Sequence, residues 1–342
     1  MNIKSEVFDP ANLSLDAVRT QHRELAGSII RTPLTLLASP AVAERLASNQ
    51  IYLKLECYQH TGTFKARGAL SVAHAIPERD RIKGITAASA GNHAIAAAWA
   101  ARQLGMSAKV VMQTTANPFR VAMAQEQGAE IIMKEGGIAA IGEAERLSRD
   151  EERTFIHPFE GFYTTLGAAG VGLEIINALP DLEAAVVSVG GGGLISGVAA
   201  GIKLVNPNCK IYGVEPEGAD SVSKSLAAGK PVTLDKVDTI ADSLGPPFSL
   251  PFGLSVIRQF VDDVVTITDD EILAGLVVLQ EEGKLAVEPA AGAAMAAALG
   301  PLRERLQGKR TAILICGANI DAETYTTLHE RGQPHVAALM AD

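Results

Sequence analysis

The sequence predicts an α/β protein built from two open, twisted sheets flanked by helices, with a small domain inserted in a large one. Three observations carry this expectation. Between Gly84 and Glu160 short strand-like runs alternate with helical stretches, the same alternation resumes at AAVVSVGGGG, and aromatic residues make up only 4% of a chain rich in Ala and Gly. Parallel strands need crossover connections, usually helical, so the rhythm points to parallel sheets. Small side chains suit helices packed tightly on a sheet.

Taken in order, the segment ahead of the apolar run IYLKLE is expected to pack as helices on the larger unit. The small unit then reads GITAAS, a helix about Asn92–Leu104, AKVVM, a helix from about Pro118, AEIIM, a helix about Ala139–Ser148, and TFIHP. The second unit reads AAVVSVGGGG, KIYGVE, VVTIT and TAILICGAN. Thr268 followed by Asp269, Asp270 and Glu271 has the spacing of a capping box and opens an amphipathic helix through Glu282. Residues beyond about Leu328 read as a trailing end. The expected domains are 84–160 as a small mobile unit and 1–83 with 161–342 as the large one.

The bulk numbers bound the function. The 342 residues are 47% apolar and 20% charged, as in globular proteins with a large core. A net charge of -9 gives no basic footprint for nucleic acid or anionic lipid, so small molecules are the expected partners. Cys57, Cys209 and Cys316 are odd in number and dispersed, which argues against a disulfide framework or structural zinc and fits a reducing cytoplasm. MNIKSEVFDPANLS lacks the apolar stretch of a leader, and the longest weakly polar run, Val287–Gly300, is too short to span a bilayer. No membrane role is expected.

Four consecutive glycines, Gly190–Gly193, stand between a β-branched run and an apolar helical stretch beginning at Leu194. Strand, glycine loop and helix N-terminus together present unpaired N–H groups and the positive end of a helix dipole to a phosphate. A packing-driven tight turn is the plain alternative. A Walker loop would need Gly-Lys-Ser/Thr, whereas Val198 follows Gly197. Gly191, Gly193 and Gly197 give G-x-G-x-x-x-G, and Glu215 closes the next strand-like run where a ribose-binding acid would sit, so a nicotinamide oxidoreductase stays open on this segment.

Four segments recur in one order: Thr61-Gly62-Thr63-Phe64-Lys65, Ser89-Ala90-Gly91-Asn92-His93, Gly190–Gly193, and Cys316-Gly317-Ala318-Asn319. This order resembles the serine/threonine dehydratase group (threonine ammonia-lyase-like) of pyridoxal-phosphate enzymes with the tryptophan-synthase β-like fold, fold type II. The likeness runs from about Arg31 to Leu328. It implies that the large domain binds pyridoxal 5'-phosphate, that Lys65 forms a Schiff base with it and later takes the substrate α-proton, and that Phe64 packs on the ring. A lysine suits both tasks; alone it would read as a solvated charge. The resemblance further implies that Ser89, Ala90, Gly91, Asn92 and His93 receive the substrate carboxylate, that Asn92 also bonds the ring hydroxyl, that Gly190, Gly191, Gly192, Gly193 and Leu194 hold the cofactor, and that Cys316 faces the ring nitrogen. The local alternatives are an N-cap turn at Asn92, a structural role for His93, and a buried structural Cys316, which stands where relatives mostly carry Ser or Thr.

Within that group a racemase needs an acid on the face opposite the lysine, a serine before Gly-Asn-His; here that residue is Ala90. A lyase that dehydrates a 3-hydroxy-L-amino acid to a 2-oxo acid and ammonia is therefore favoured over an amino-acid racemase, and a non-catalytic sensor is disfavoured by the intact loops. Glu288 in KLAVEPAAGAA either approaches the cofactor or only starts a helix. Two departures, IADSLGPPFSLPFG and Leu166-Gly167-Ala168-Ala169-Gly170, are expected to border the substrate side chain and open the choice to threonine, serine or a larger analogue. Glu215 to Ser221 is similar to a divalent-cation loop, which implies Mg or Ca on Glu215 and Ala219; Ser221 replaces the usual acid, and a surface turn is the alternative. A catabolic homodimer without a regulatory domain is the expectation.

Overall fold

The structure, a computed structural model, describes residues 9–341. The reading of a terminus without an apolar leader falls largely on residues 1–8, outside that range. Among the described residues ten strands form two sheets. They are β1 (Leu34–Leu36), β2 (Ile51–Leu55), β3 (Ile85–Ala88), β4 (Ala108–Gln113), β5 (Ala129–Lys134), β6 (Thr154–Phe155), β7 (Ala184–Ser188), β8 (Lys210–Pro216), β9 (Asp263–Ile267) and β10 (Thr311–Ile315). The larger sheet has the order β1-β2-β10-β7-β8-β9 and the smaller β5-β4-β3-β6. Every pairing is parallel except β1 with β2. The smaller sheet comes from one continuous stretch between β2 and β7.

Strands β3, β7 and β10 are buried along their whole length, which is why they read as unbroken Ala, Val and Ile runs rather than alternating ones. Helix Asp269–Glu281 opens on the expected capping box: Thr268 Oγ1 accepts from Glu271 N (3.2 Å) and Glu271 Oε2 from Thr268 N (2.7 Å). Such a cap is worth about 1 kcal/mol. No helix among the described residues is long and apolar enough to cross a membrane.

Two expectations are corrected. The chain past Leu328 is not a trailing end but the second half of helix Ala322–Met340, with Leu339 buried and Val336 and Met340 packed on the core. Its sequence is mostly polar because only a narrow stripe is covered, so the apolar period is hard to see. The N-terminal part holds helices Leu15–Glu24 and Pro40–Arg45, but also β1, an edge strand too short to carry a visible alternation.

Beneath the site lies a charged quartet that is wholly buried: Lys54, Glu56, Arg67 and Glu174 are 1%, 0%, 0% and 3% exposed. Arg67 Nε and Nη2 donate to Glu56 (2.7 and 2.8 Å), and Nη1 and Nη2 donate to Glu174 (2.8 and 3.0 Å). Lys54 Nζ donates to Glu174 Oε2 (2.5 Å) and to the Thr32 carbonyl (2.9 Å). Two cations and two anions leave no net charge, and the pairs tie β2 to helices Lys65–Ala75 and Phe162–Ala178. Burial opposes ionisation of Glu174, but contact with Arg67 and Lys54 holds its carboxyl below the ordinary value.

Candidate active site

A cavity of about 910 Å³ is lined by Lys65, Asn92, Glu288 and Cys316 and also by Ile138, Ile141 and Phe155, from helix Gly137–Asp150 and strand β6 of the smaller sheet. Its volume stands near the top of the ordinary range for small-molecule sites, about 300–1,000 Å³.

Lys65 is the first residue of its helix, and the turn before it is fastened to the segment after β10. Phe64 N donates to Cys316 O (3.1 Å), Ala318 N to Gly62 O (3.1 Å), and Asn319 Nδ2 to Thr61 O (2.8 Å). Thr61 sits at φ 66, and Thr63 Oγ1 accepts from Lys65 N (3.1 Å). Lys65 Nζ donates to Pro158 O (2.5 Å) and stands 5.0 Å from the Phe64 ring centroid. Burial lowers its pKa to about 8, against smaller opposing effects of Cys316 and Glu288.

Ser89, Ala90, Gly91, Asn92 and His93 follow β3 and open helix Asn92–Gln103, all on the cavity wall. Ser89 Oγ accepts from Gly91 N (3.2 Å), and no side chain caps the helix, whose first amides are open to an anion. His93 is buried with Nε2 2.8 Å from Ile156 O; burial and the Lys65 charge push its pKa down to about 3, so it is a neutral anchor between its helix and the segment that follows β6.

Gly190–Gly193 and Leu194 link β7 to helix Gly193–Lys203 on the same wall. The amides of Gly190, Gly191 and Gly192 find no acceptor among the described residues. Glycine is required at 191 because a Cβ there would lie 2.3 Å from the Phe159 ring. A Gly191→Ala variant is therefore expected to bind the phosphorylated cofactor at least about ten-fold more weakly, a change of about 1.4 kcal/mol. Fluorescence titration of the apoprotein measures this, and an unchanged affinity would contradict the cradle.

Cys316 directly follows β10, buried and facing the cavity; burial first, and Glu288 and Cys57 beside it, raise its thiol well above the ordinary value, so it stays neutral. Cys57 and Cys209 are likewise buried free thiols. Uncapped amides at two helix ends, a lysine of lowered pKa and a neutral donor opposite make a donor set that fits pyridoxal phosphate.

Arg120 and His157 escape the sequence reading, while Glu288, open there between the cofactor and a helix start, gains its partners in the folded chain. Glu288 occupies the N-cap position of helix Pro289–Leu299 yet makes no capping bond. Both its oxygens accept from Asn92 Nδ2 (2.9 and 2.8 Å), and burial raises its pKa against Arg120 and Asn92. Asn319 Nδ2 donates to Asn92 Oδ1 (2.9 Å), so the Asn92 amide is fixed at both ends. Arg120, on helix Pro118–Glu126 beside the smaller sheet, pairs with Asp242, donates to Asn319 O (3.1 Å) and stands 3.7 Å from Glu288. His157 lines the cavity beside Lys65. These partners are far apart in sequence, and no local motif marks Arg120 or His157.

Other expectations change. Leu166–Gly170 lies inside helix Phe162–Ala178, where Ala168 Cβ is 2.4 Å from the position a Cβ would take on Gly197; it is helix packing, and only Ala168 reaches a small void near Lys65. The second departure does line the cavity, through Asp242 to Phe248 and Leu250. Glu215 is buried at the end of β8, accepting from Val222 N (2.8 Å), Ser223 N (2.8 Å) and Ser223 Oγ (2.6 Å), and burial pushes its pKa up to about 7. It is spent on helix Ser221–Ala228 and is open to neither a ribose nor a cation. Ala219 is buried, Asp220 pairs with Lys224 (2.9 Å), and Ser221 Oγ donates to Pro246 O (3.3 Å), so the donors do not fit Mg or Ca. Among the described residues no group of three or more His, Cys, Asp or Glu is placed to hold a metal.

Comparison with known proteins agrees with this chemistry. Residues 25–317 match the family described as "Pyridoxal-phosphate dependent enzyme". The chain is 44% identical to phenylserine dehydratase of Ralstonia pickettii over 282 residues, 82% of this chain and 86% of that one. It is 36% identical to L-threonine ammonia-lyase of Thermotoga maritima, over 94% of this chain and 79% of that one. Among solved structures, maize serine racemase superposes with a TM-score of 0.87 at 32% identity, covering 94% of this chain and 98% of the other. The chain belongs to the pyridoxal-phosphate-dependent enzymes of fold type II, and pyridoxal phosphate is its cofactor.

Proposed function

We propose that this protein is a dehydratase that removes water from a 3-hydroxy-L-amino acid with a large apolar group on C3, releasing a 2-oxo acid and ammonia. The observation that carries it is the single cavity shared by the Lys65 amine, the Gly190–Leu194 cradle and the Ser89–Asn92 loop, with the methyl of Ala90 as the side chain in that loop where a racemase needs an acid. Ile138, Ile141, Phe155, Phe159, Phe248 and Leu250 supply the apolar wall. The names of two relatives, phenylserine dehydratase and L-threonine ammonia-lyase, support elimination and, for the first, an aryl substituent.

The glycine amides would hold the cofactor phosphate, Phe64 its ring face, Asn92 its hydroxyl and Cys316 its ring nitrogen. Bound there, pyridoxal phosphate supplies an aldehyde to capture the amino group and a ring to take up the electron pair left on the α-carbon. The helix end at Ser89–Asn92 orients the carboxylate. Lys65 Nζ takes the α-proton, the C3–O bond breaks, and the hydroxyl leaves as water. The released enamine tautomerises and hydrolyses to the 2-oxo acid and ammonia. Cys316, a neutral thiol, leaves the ring nitrogen without a carboxylate partner, which suits a carbanion that is discharged at once. The unit 84–160 moves over the large domain in this reading, with Arg120 and Asp242 as the fastening between them. A cytoplasmic homodimer belongs to the same proposal, and sedimentation at micromolar concentration tests the dimer.

The test is a panel of L-serine, L-threonine and L-threo-3-phenylserine assayed for 2-oxo acid and ammonia together with chiral analysis of the remaining substrate. Equal amounts of both products are expected, with kcat/KM highest for phenylserine and the unreacted enantiomer intact. Racemised substrate without 2-oxo acid would overturn the reading.

A further inference from the structure

Given the dehydratase reading, we infer that His157 is the hydrogen-bond donor to the hydroxyl that leaves from C3. The residue lies on the strap after β6, beside Pro158, whose carbonyl holds Lys65 Nζ. Its ring is set edge-on to Phe159 (centroids 4.6 Å apart, 88°) and to Phe155 (5.8 Å, 78°), so its plane is fixed. Nδ1 accepts two backbone N–H groups, those of Phe159 (3.3 Å) and Glu160 (3.0 Å). A nitrogen that accepts cannot carry the proton, so the hydrogen is on Nε2. Nε2 points away from those partners, has none of its own among the described residues, and belongs to a side chain on the cavity wall next to Lys65.

The position follows from the reaction. Lys65 Nζ, the base for the α-proton in this reading, is held by the Pro158 carbonyl, and the adjacent His157 lines the same cavity, so a hydroxyl on the carbon next to the one deprotonated falls within reach of the strap. Burial and the Lys65 charge push the His157 pKa down to about 3. The ring is therefore neutral at working pH and donates a hydrogen bond without giving up its proton. The proton count closes without it: Lys65 gains the α-proton, and the leaving oxygen takes that proton in turn and departs as water. A donor aimed where negative charge grows on a leaving oxygen is commonly worth about 10²–10³ in rate.

The experiment uses two variants of the loaded enzyme and two substrates. In His157→Asn the amide oxygen can still accept from the strap while the far donor is gone; in His157→Gln a donor reaches the Nε2 position. With L-threo-3-phenylserine, kcat is expected to fall about 100-fold for the Asn variant and to recover at least ten-fold of that loss in the Gln variant. With 3-chloroalanine, whose chloride leaves without needing a donor, the Asn variant is expected to lose no more than about five-fold. The visible absorbance of bound cofactor checks that each variant is loaded. Equal losses on both substrates, or no loss on phenylserine, would overturn the role of His157 while the dehydratase reading stands. Wild-type enzyme that eliminates from neither substrate would overturn both.

Discussion

Lys65→Ala is expected to abolish turnover, by about 10³-fold or more, since a positioned general base alone is worth about 10²–10⁴ in rate. The lysine is also the group expected to link the cofactor covalently, so the variant should lose the visible absorbance of that link, and borohydride should trap cofactor on the wild type only. The lowered pKa gives this a pH signature. With a pKa of about 8, half the Lys65 amines are unprotonated at pH 8, against about one in 300 for an unperturbed lysine. Raising pH strips the proton, so capture of the aldehyde by apoenzyme should accelerate from pH 6.5 and level off above about 8. A profile still rising at pH 10 would place Lys65 in an ordinary solvated setting, and a Lys65→Ala variant that turned over substrate would remove it from the mechanism.

Arg67→Met should cost about 3–5 kcal/mol of stability, the usual result of taking one member from a buried ionic cluster. Arg67 makes four of the short contacts in the quartet, and without it Glu56 and Glu174 share only Lys54, which is 2.5 Å from Glu174 and 4.0 Å from Glu56. Urea or thermal unfolding of the loaded enzyme measures the loss. If charge rather than shape is responsible, adding Glu174→Gln to Arg67→Met should return part of it. A loss below about 1 kcal/mol would mean that water or rearrangement satisfies the abandoned carboxylates. Arg67 is two residues beyond Lys65 on the same helix, so the variant should also raise KM for the cofactor.

What the sequence made legible and what it hid divide along sequence separation. The loops at Ser89–Asn92 and Gly190–Gly193 are visible because each is a local pattern, a β-branched run, small residues and a helix start, whose chemistry follows from backbone geometry alone. Lys65 is visible only beside those loops. Glu288 is legible only as an open choice between cofactor and helix start, and Arg120 and His157 are hidden, because each owes its place to a tertiary contact: Glu288 with Asn92, Arg120 with Asp242, and His157 with the strap over Lys65. Glu215 misleads for the opposite reason. Its place at a strand end invites a ribose or a cation, and only the folded chain shows its oxygens spent on the next helix. Leu166–Gly170 misleads similarly, since small residues that border a site and small residues that let helices touch look alike.

The register of the larger sheet carries a consequence for how such a chain emerges from the ribosome. Its β2 strand has no parallel partner until β10 is made, because Ile51 pairs with Thr311 and Leu55 with Ile315. Pairings this distant are slow, and although β1 can pair with one edge of β2 at once, its other edge stays exposed while it waits. The four strands of the smaller sheet, by contrast, are complete by Phe155 and can close during synthesis. The turn that aims Lys65 is zipped to the segment just after β10, so the lysine is aimed only when nearly the whole chain exists. Cofactor capture should then be a late folding event, and a stalled or truncated chain should remain colourless however much secondary structure it has acquired.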